Sequence, residues 1–333
     1  MNLVTGATGL LGSHIVEQLR LRNRPVRALV RRGADVAWLK QQDVEFAEGD
    51  ITDRASLDAA CRGVRNVYHA AARVGDWGPW SEFERITIQG TRNLAEASER
   101  AGCERFLHIS SISAYGHPDG EGLVLDETAP LGRHLHKWSY YSRAKVQAER
   151  DLWAMYAAGK LRLTVIRPSW LYGPRDRATI FRLARILRAG QAKILGDGEN
   201  KLNVVYAGNV AEGAILAVDS PRAIGQAYNC SNDGVIKQKE WFDLLARALG
   251  APPVTKHVPY RVAYAAAFFL EILGHAFRWK QPPMITRYAV WLMGRRCYFS
   301  AEKARRELGW KSTVCYEEGV KKTVEWLKTQ EGV

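Results

Sequence analysis

The sequence of 333 residues predicts an α/β protein: a doubly wound parallel sheet, followed by a smaller, mostly helical C-terminal lobe. Three observations predict it. Short apolar runs rich in β-branched residues alternate with helical patterns through the first half, as in parallel strands joined by helical crossovers. A glycine-rich turn, Thr5-Gly6-Ala7-Thr8-Gly9-Leu10-Leu11-Gly12, separates the first apolar run from the first helical pattern. After Pro168 the alternation stops, and loop signals such as Gly173-Pro174, Gly208-Asn209 and Pro252-Pro253 take over.

Residues 3–5 read as the first strand and 10 to about 22 as the first helix. Further strands are expected at 26–30, 44–47, 66–69, 105–109 and 163–166. They are nearly continuous apolar runs, which fits a sheet covered by helices on both faces. Between them, 83–101 and 138–158 carry helical periodicity. Beyond Pro168, 178–189, 210–219, 239–249 and 316–328 read as helices. The division expected is 1–168 for the sheet domain and 169–333 for the lobe, with segments at about 203–230 returning to the first domain.

A hydrophobic fraction of 47% and a charged fraction of 25% are those of an ordinary soluble globular protein. Cys61, Cys103, Cys230, Cys297 and Cys315 are scattered, without a C-x-x-C pair. That pattern predicts free thiols in a reducing, cytoplasmic setting and no structural zinc. A first strand that starts near Asn2 leaves no room for a signal peptide. The net charge of +13 is densest at Arg20, Arg22, Arg24, Arg27, Arg31 and Arg32, read mainly as a solvated basic surface. No nucleic-acid-binding motif accompanies it, so no nucleic-acid partner is expected.

The glycine turn follows a strand and opens a helix, the context that makes G-x-x-G-x-x-G informative. One glycine permits the tight turn, one lets backbone approach a pyrophosphate, and one allows close helix–strand packing. The helix N-terminus then offers N–H groups and its positive dipole end to the phosphates. Gly6, Thr8, Gly9, Leu10, Leu11 and Gly12 are accordingly assigned to a dinucleotide, which makes the first domain Rossmann-type. The second strand ends in Val30-Arg31-Arg32, where an NAD site usually carries an acid. Two guanidinium groups match a 2′-phosphate, so NADP is preferred, with NAD also admissible. Asp50 and Ile51 are expected to bracket the adenine, and Ala70, Ala71 and Ala72 to let the cofactor lie close.

Tyr141 and Lys145 are four residues apart in a helical stretch and share a face. A free phenol has a pKa of about 10. A nearby ammonium is expected to lower it and make the tyrosine a proton donor and acceptor. Tyr140 has no lysine at the matching distance. A hydroxyl at the end of the fifth strand should complete the group; Ser111 is favoured, with Ser110 and Ser113 as alternatives. Together these residues point to hydride transfer.

With these motifs in order, the chain resembles the extended short-chain dehydrogenase/reductase family, also called the NAD-dependent epimerase/dehydratase family. The matching pieces are Thr5 to Gly12, Gly49-Asp50-Ile51, His69 to Ala72, Gly90-Thr91-Arg92-Asn93-Leu94, Ser110 to Gly116, Tyr141 to Lys145 and Arg167 to Pro174. Gly75-Asp76-Trp77-Gly78-Pro79-Trp80 and the aromatic lobe look like its 3β-hydroxysteroid dehydrogenase branch, which includes sterol-4-carboxylate dehydrogenases and reductases of long-chain 2-alkyl-3-oxo acids. The resemblance implies a substrate carbonyl held by Ser111 and Tyr141, Lys145 on the nicotinamide ribose, Pro168 near the nicotinamide amide, and a homodimer through the long helices. It also shows two departures: Thr87 where the family usually has asparagine, and Asn209 where many members have aspartate.

The function expected is NADP-preferring oxidoreduction of a secondary alcohol or ketone on a bulky hydrophobic substrate. A nucleotide-sugar epimerase, dehydratase or reductase is the alternative, with Arg175, Arg177 and Arg182 as diphosphate ligands. A non-catalytic dinucleotide-binding regulator is the third reading. The stretch 258–296 is aromatic and basic, with Glu271 as its single acid. Its apolar run is shorter than the ~20 residues needed to span a bilayer. It reads as a buried lobe helix, a lid over a greasy substrate, or a peripheral membrane contact. His117, His134 and His136 are expected in an exposed loop, and no metal site is expected.

Overall fold

The computed structural model describes residues 1–177 and 179–331. Its main sheet holds seven parallel strands: β1 (Asn2–Thr5), β2 (Val26–Val30), β3 (Glu45–Glu48), β4 (Asn66–His69), β5 (Arg105–Ile109), β6 (Leu163–Pro168) and β7 (Gln226–Cys230). The spatial order is β7-β6-β5-β4-β1-β2-β3. β1 pairs with β4 on one side and β2 on the other. Strand order therefore reverses at β1, and the crevice at the C-terminal ends of β1 and β4 is where such sheets take ligands.

The segment after Pro168 does thread back. The helix Ala207–Asp219 places Val210, Ala214 and Val218 in one core with Ile15 and Leu19 of α1 (Leu10–Leu21). β7 then pairs with β6, Tyr228 opposite Ile166. A second core forms where Ile180–Arg188, Gln238–Leu249 and Tyr316–Glu331 converge on Trp241 and Tyr316. Ala178, the first residue of the helix expected over 178–189, lies outside the described residues, as do Gly332 and Val333 at the end of the expected lobe. Two more helices, Tyr260–Ala276 and Arg287–Gly294, pack on each other and lean over the sheet's ligand-binding edge.

The helix expected over 83–101 starts earlier and changes register. Trp80–Phe83 is α-helical, Glu84–Gln89 is a π turn, and Gly90–Arg100 is α-helical again. Gly90 opens the second α segment with Ile51 packed against it, where a Cβ would sit 2.8 Å from the Ile51 side chain.

The arginine block differs from the solvated surface expected of it. Arg20 pairs with Asp43, Arg22 with Glu212, Arg24 with Asp219 and Arg27 with Glu45. Those acids come from later in the chain, so the pairing is not visible in the local sequence. Arg31 and Arg32 are exposed, and their side chains have no partner among the described residues. All five cysteines are free.

Candidate active site

The three glycines of the turn do three different jobs. Gly6 has φ +69, and a Cβ on it would lie 2.8 Å from the Ala71 nitrogen. Gly12 packs so closely that a Cβ would lie 2.1 Å from the Gly6 oxygen. Gly9 would meet only the Gly6 oxygen, at 3.2 Å, and faces solvent. It caps α1 with no side-chain cap, and the first turn holds no acid. The N–H groups at this end are thus left for an anion. Thr8 is exposed beside them and Leu10 is half-buried, whereas the Leu11 side chain is buried in the core, so its backbone alone faces the site.

Opposite this turn, Ala70, Ala71 and Ala72 are half-buried at the end of β4. The Ala71 N–H reaches the Thr5 hydroxyl at 3.3 Å. His69, which the motif contains but sequence reasoning left without a role, locks the two strands together. Its ring bonds the hydroxyls of Thr5 and Thr91, each at 2.8 Å. Burial, and secondarily the Lys145 charge, push its pKa down to about 3, so the imidazole is neutral. Asp50 accepts from the Thr52 N–H and hydroxyl, both at 2.8 Å. Ile51 is a core residue, and Pro168 ends β6 buried.

Tyr141 and Lys145 lie on the helix Tyr140–Ala157, which runs past the end of β5. Ser111 follows β5, and its side chain neighbours the Tyr141 phenol and works to lower its pKa. Both alternative serines are otherwise engaged. Ser110 donates to Glu149 at 2.6 Å, and Ser113 donates to Ser111 at 2.9 Å. One expectation is corrected. The Tyr141 phenol is not lowered by Lys145: burial raises its pKa, and only Ser111 opposes this. The lysine ammonium points elsewhere, donating to the Ile109 carbonyl at 2.7 Å. Burial brings its own pKa down to about 8, against the pull of Glu149. Tyr141 therefore keeps its proton at neutral pH, whereas the buried Lys145 ammonium is far closer to losing its own.

A buried ion pair behind this group escaped the sequence reading. Glu149 has no exposed surface and meets Arg167, with Nη2 of the arginine at 2.5 Å. Arg167 also donates to the Tyr115 hydroxyl at 2.7 Å, and Tyr115 donates to Asn229 at 2.8 Å. Glu149 stands one turn beyond Lys145 on the same helix face, and Arg167 directly precedes Pro168. That spacing was the available signal, but a lone Glu and Arg in sequence do not reveal a pair.

The family model described as the NAD dependent epimerase/dehydratase family matches residues 2–231, more than half the chain. The chain belongs to this family. Like its extended short-chain dehydrogenase/reductase relatives, this epimerase/dehydratase-family chain is an NAD-dependent oxidoreductase by class. It is 32% identical to a 2-alkyl-3-oxoalkanoate reductase of Stenotrophomonas maltophilia, over 96% of this chain and 97% of that one. It is 30% identical to the mouse sterol-4-alpha-carboxylate 3-dehydrogenase, decarboxylating, over 97% of this chain and 89% of that one. Among solved structures, MoeE5 in complex with UDP-glucuronic acid and NAD superposes with a TM-score of 0.74 at 27% identity, covering 99% of both chains.

In this family member the lobe sets aromatic side chains beside Tyr141. A cleft beside Tyr141 is lined by Asp76, Trp77, His136, Trp138, Arg287 and Tyr288, among others. The Tyr288 ring stands edge-on to Tyr141 with centroids 6.2 Å apart. Arg73 holds the Gly75–Pro79 loop in place through the Val74 and Trp77 carbonyls. Thr87 accepts from the Arg73 N–H at 3.0 Å, so this departure from the family ties the loop to the π turn. Asn209 donates to Asp233 and to the Val314 carbonyl.

The histidine expectation is also corrected. His117 is buried and His136 half-buried; only His134 is exposed. The His117 and His136 rings stack at 4.0 Å, and His136 bonds the Tyr264 hydroxyl at 3.0 Å. Burial pushes His117 to about 3 and His136 to about 4. They join the catalytic helix to the lobe as neutral packing. Among the described residues no His, Cys, Asp and Glu group could hold a metal ion.

Proposed function

We propose that this enzyme reduces the ketone of a bulky, apolar 3-oxo acid with NADPH. The observation that carries the reading is the aromatic share of the cleft wall: Trp77, Trp138 and Tyr288 line it, Phe268 stacks on Trp138, and Tyr288 stands against Tyr141. Such a wall takes a greasy chain, not a solvated sugar. Arg287, although paired with Glu271, offers a substrate carboxylate its Nη donors. Its Nε is held by Glu271 at 2.7 Å, and the Nη nitrogens have no acceptor among the described residues. Both acids lining the cleft are engaged, Asp76 by the Thr286 hydroxyl and Glu271 by Arg287. The names of the relatives, which act on 3-oxo or 4-carboxy compounds, support the same class.

In this reading Ser111 and Tyr141 bond the substrate carbonyl oxygen, and Tyr141 delivers the proton as the alkoxide develops. The nicotinamide supplies the hydride when bound. Lys145 and the open end of α1 hold the cofactor's ribose and pyrophosphate. The unpaired Arg31 and Arg32 take the 2′-phosphate. Charge-assisted bonds contribute about 1.5–3 kcal/mol each, so the double variant R31S/R32S is expected to weaken NADPH binding at least ~10-fold. NADH affinity should hardly move. Equal losses for both cofactors in a fluorescence titration would refute the assignment.

The sugar-nucleotide alternative loses ground because its three arginines are occupied. Arg175 bonds Ser13 and Glu17 and stacks on Trp38, Arg177 pairs with Asp35, and Arg182 donates to the Met284 carbonyl. NADPH oxidation should be measured against long-chain 3-oxo acids, their methyl esters, 3-ketosteroids and nucleotide-diphospho-sugars. The acids should turn over fastest, with the esters lower by a margin that R287M abolishes. Turnover of the nucleotide sugars alone would sink the proposal.

A further inference from the structure

The helix Tyr260–Ala276 carries two unlike faces. Ala263, Ala267, Glu271 and Gly274 are buried against the rest of the lobe. The opposite face exposes Val262, Phe269, Leu273 and Phe277, spaced as one stripe of an α-helix. Phe269 is 63% exposed, Phe277 70%, and Met284, just beyond, 83%. Monomeric proteins rarely leave a contiguous apolar patch of this kind bare. Arg261, Arg278 and Lys280 are exposed along the same segment, and no exposed acid lies between residues 258 and 296. No helix among the described residues is long and apolar enough to cross a membrane.

We propose that this face is a docking surface for an anionic lipid bilayer, lying in the interface without spanning it. Charge decides the occupant. A second copy seated face to face would bring two basic rims together on chains of net charge +13. An anionic headgroup layer complements the rim while its acyl region takes the aromatic stripe. The same helix also lines the cleft through Glu271 and His275, and Phe268 stacks on Trp138 there. Docking would thus set the cleft mouth next to the lipid in which an apolar substrate dissolves. That consequence rests on the reading above; the docking itself does not.

The test is flotation of the full chain with vesicles of phosphatidylcholine alone or with phosphatidylglycerol. The expected result is binding to the anionic vesicles that falls at least tenfold in R278E/K280E and in F269S/F277S/M284S. NADPH oxidation of a short, water-soluble ketone should stay unchanged in both variants, which separates this outcome from failure of the proposed activity. Unchanged melting temperatures confirm that the variants fold. Absence of binding to anionic vesicles, or binding indifferent to both variants, overturns the proposal. So does a wild-type dimer that F269S/F277S/M284S converts to monomer without any vesicle binding, since the face would then join two copies.

Discussion

Tyr141→Phe is expected to lower kcat for ketone reduction by roughly 10²–10⁴-fold, the usual contribution of a positioned general acid. The dissociation constant for NADPH should stay within about twofold, because the proposed function assigns the cofactor's pyrophosphate to the turn around Gly9 and its ribose to Lys145. The phenol is suited to donation. Burial raises its pKa, so it carries its proton at neutral pH. The substitution removes that hydroxyl and keeps the ring, which packs edge-on to Tyr288. Stability should therefore change little. Single-turnover kinetics beside a cofactor titration read both quantities, and a kcat close to wild type would rule out Tyr141 as the donor.

Glu149→Ala is expected to destabilise the fold by about 3–5 kcal/mol, the effect of removing one partner from a buried ion pair. Arg167 is 4% exposed and would keep its charge with Tyr115 as its remaining side-chain partner. Ser110 and Trp153 also lose an acceptor. Such a loss is a large share of the ~5–15 kcal/mol that holds a typical domain folded. Urea denaturation of the apoprotein measures it. A second readout separates positioning from bulk stability. Glu149 supports the Lys145 ammonium, so the lysine pKa should fall below its present value of about 8. The milder Glu149→Gln, which keeps the side-chain volume, should bring the alkaline limb of the rate profile to lower pH. A profile identical to wild type would mean that Glu149 serves the fold alone.

Local patterns carried much of the architecture. The alternation of apolar runs located six of the seven sheet strands within a residue or two, because strands covered on both faces are mostly apolar; the exposed edge strand β3, Glu45–Glu48, is the exception. β7 was legible only as part of a returning segment: Gln226, Asn229 and Cys230 do not form an apolar run. The spacing of Gly6, Gly9 and Gly12 was readable because backbone geometry at a tight turn admits few residues besides glycine. The Tyr141–Lys145 spacing was readable because four residues bring side chains to one helix face.

What the sequence determined by itself, then, is whatever local geometry imposes: the strand–helix order, the open helix N-terminus, and the shared helix face of Tyr141 and Lys145. What only the tertiary structure decided is everything that depends on burial and on residues distant in the chain. Lys145 was expected to depress the tyrosine, yet its ammonium turns to the Ile109 carbonyl and burial raises the phenol instead. His117 and His136 read as loop residues, yet Trp291 and Tyr264 from the lobe enclose them. Four arginines read as solvated basic charge, yet they meet acids from distant parts of the fold. The reason is physical: a side chain's charge state and partners are set by the dielectric and the neighbours that folding brings to it, and neither is a property of the residues beside it in sequence.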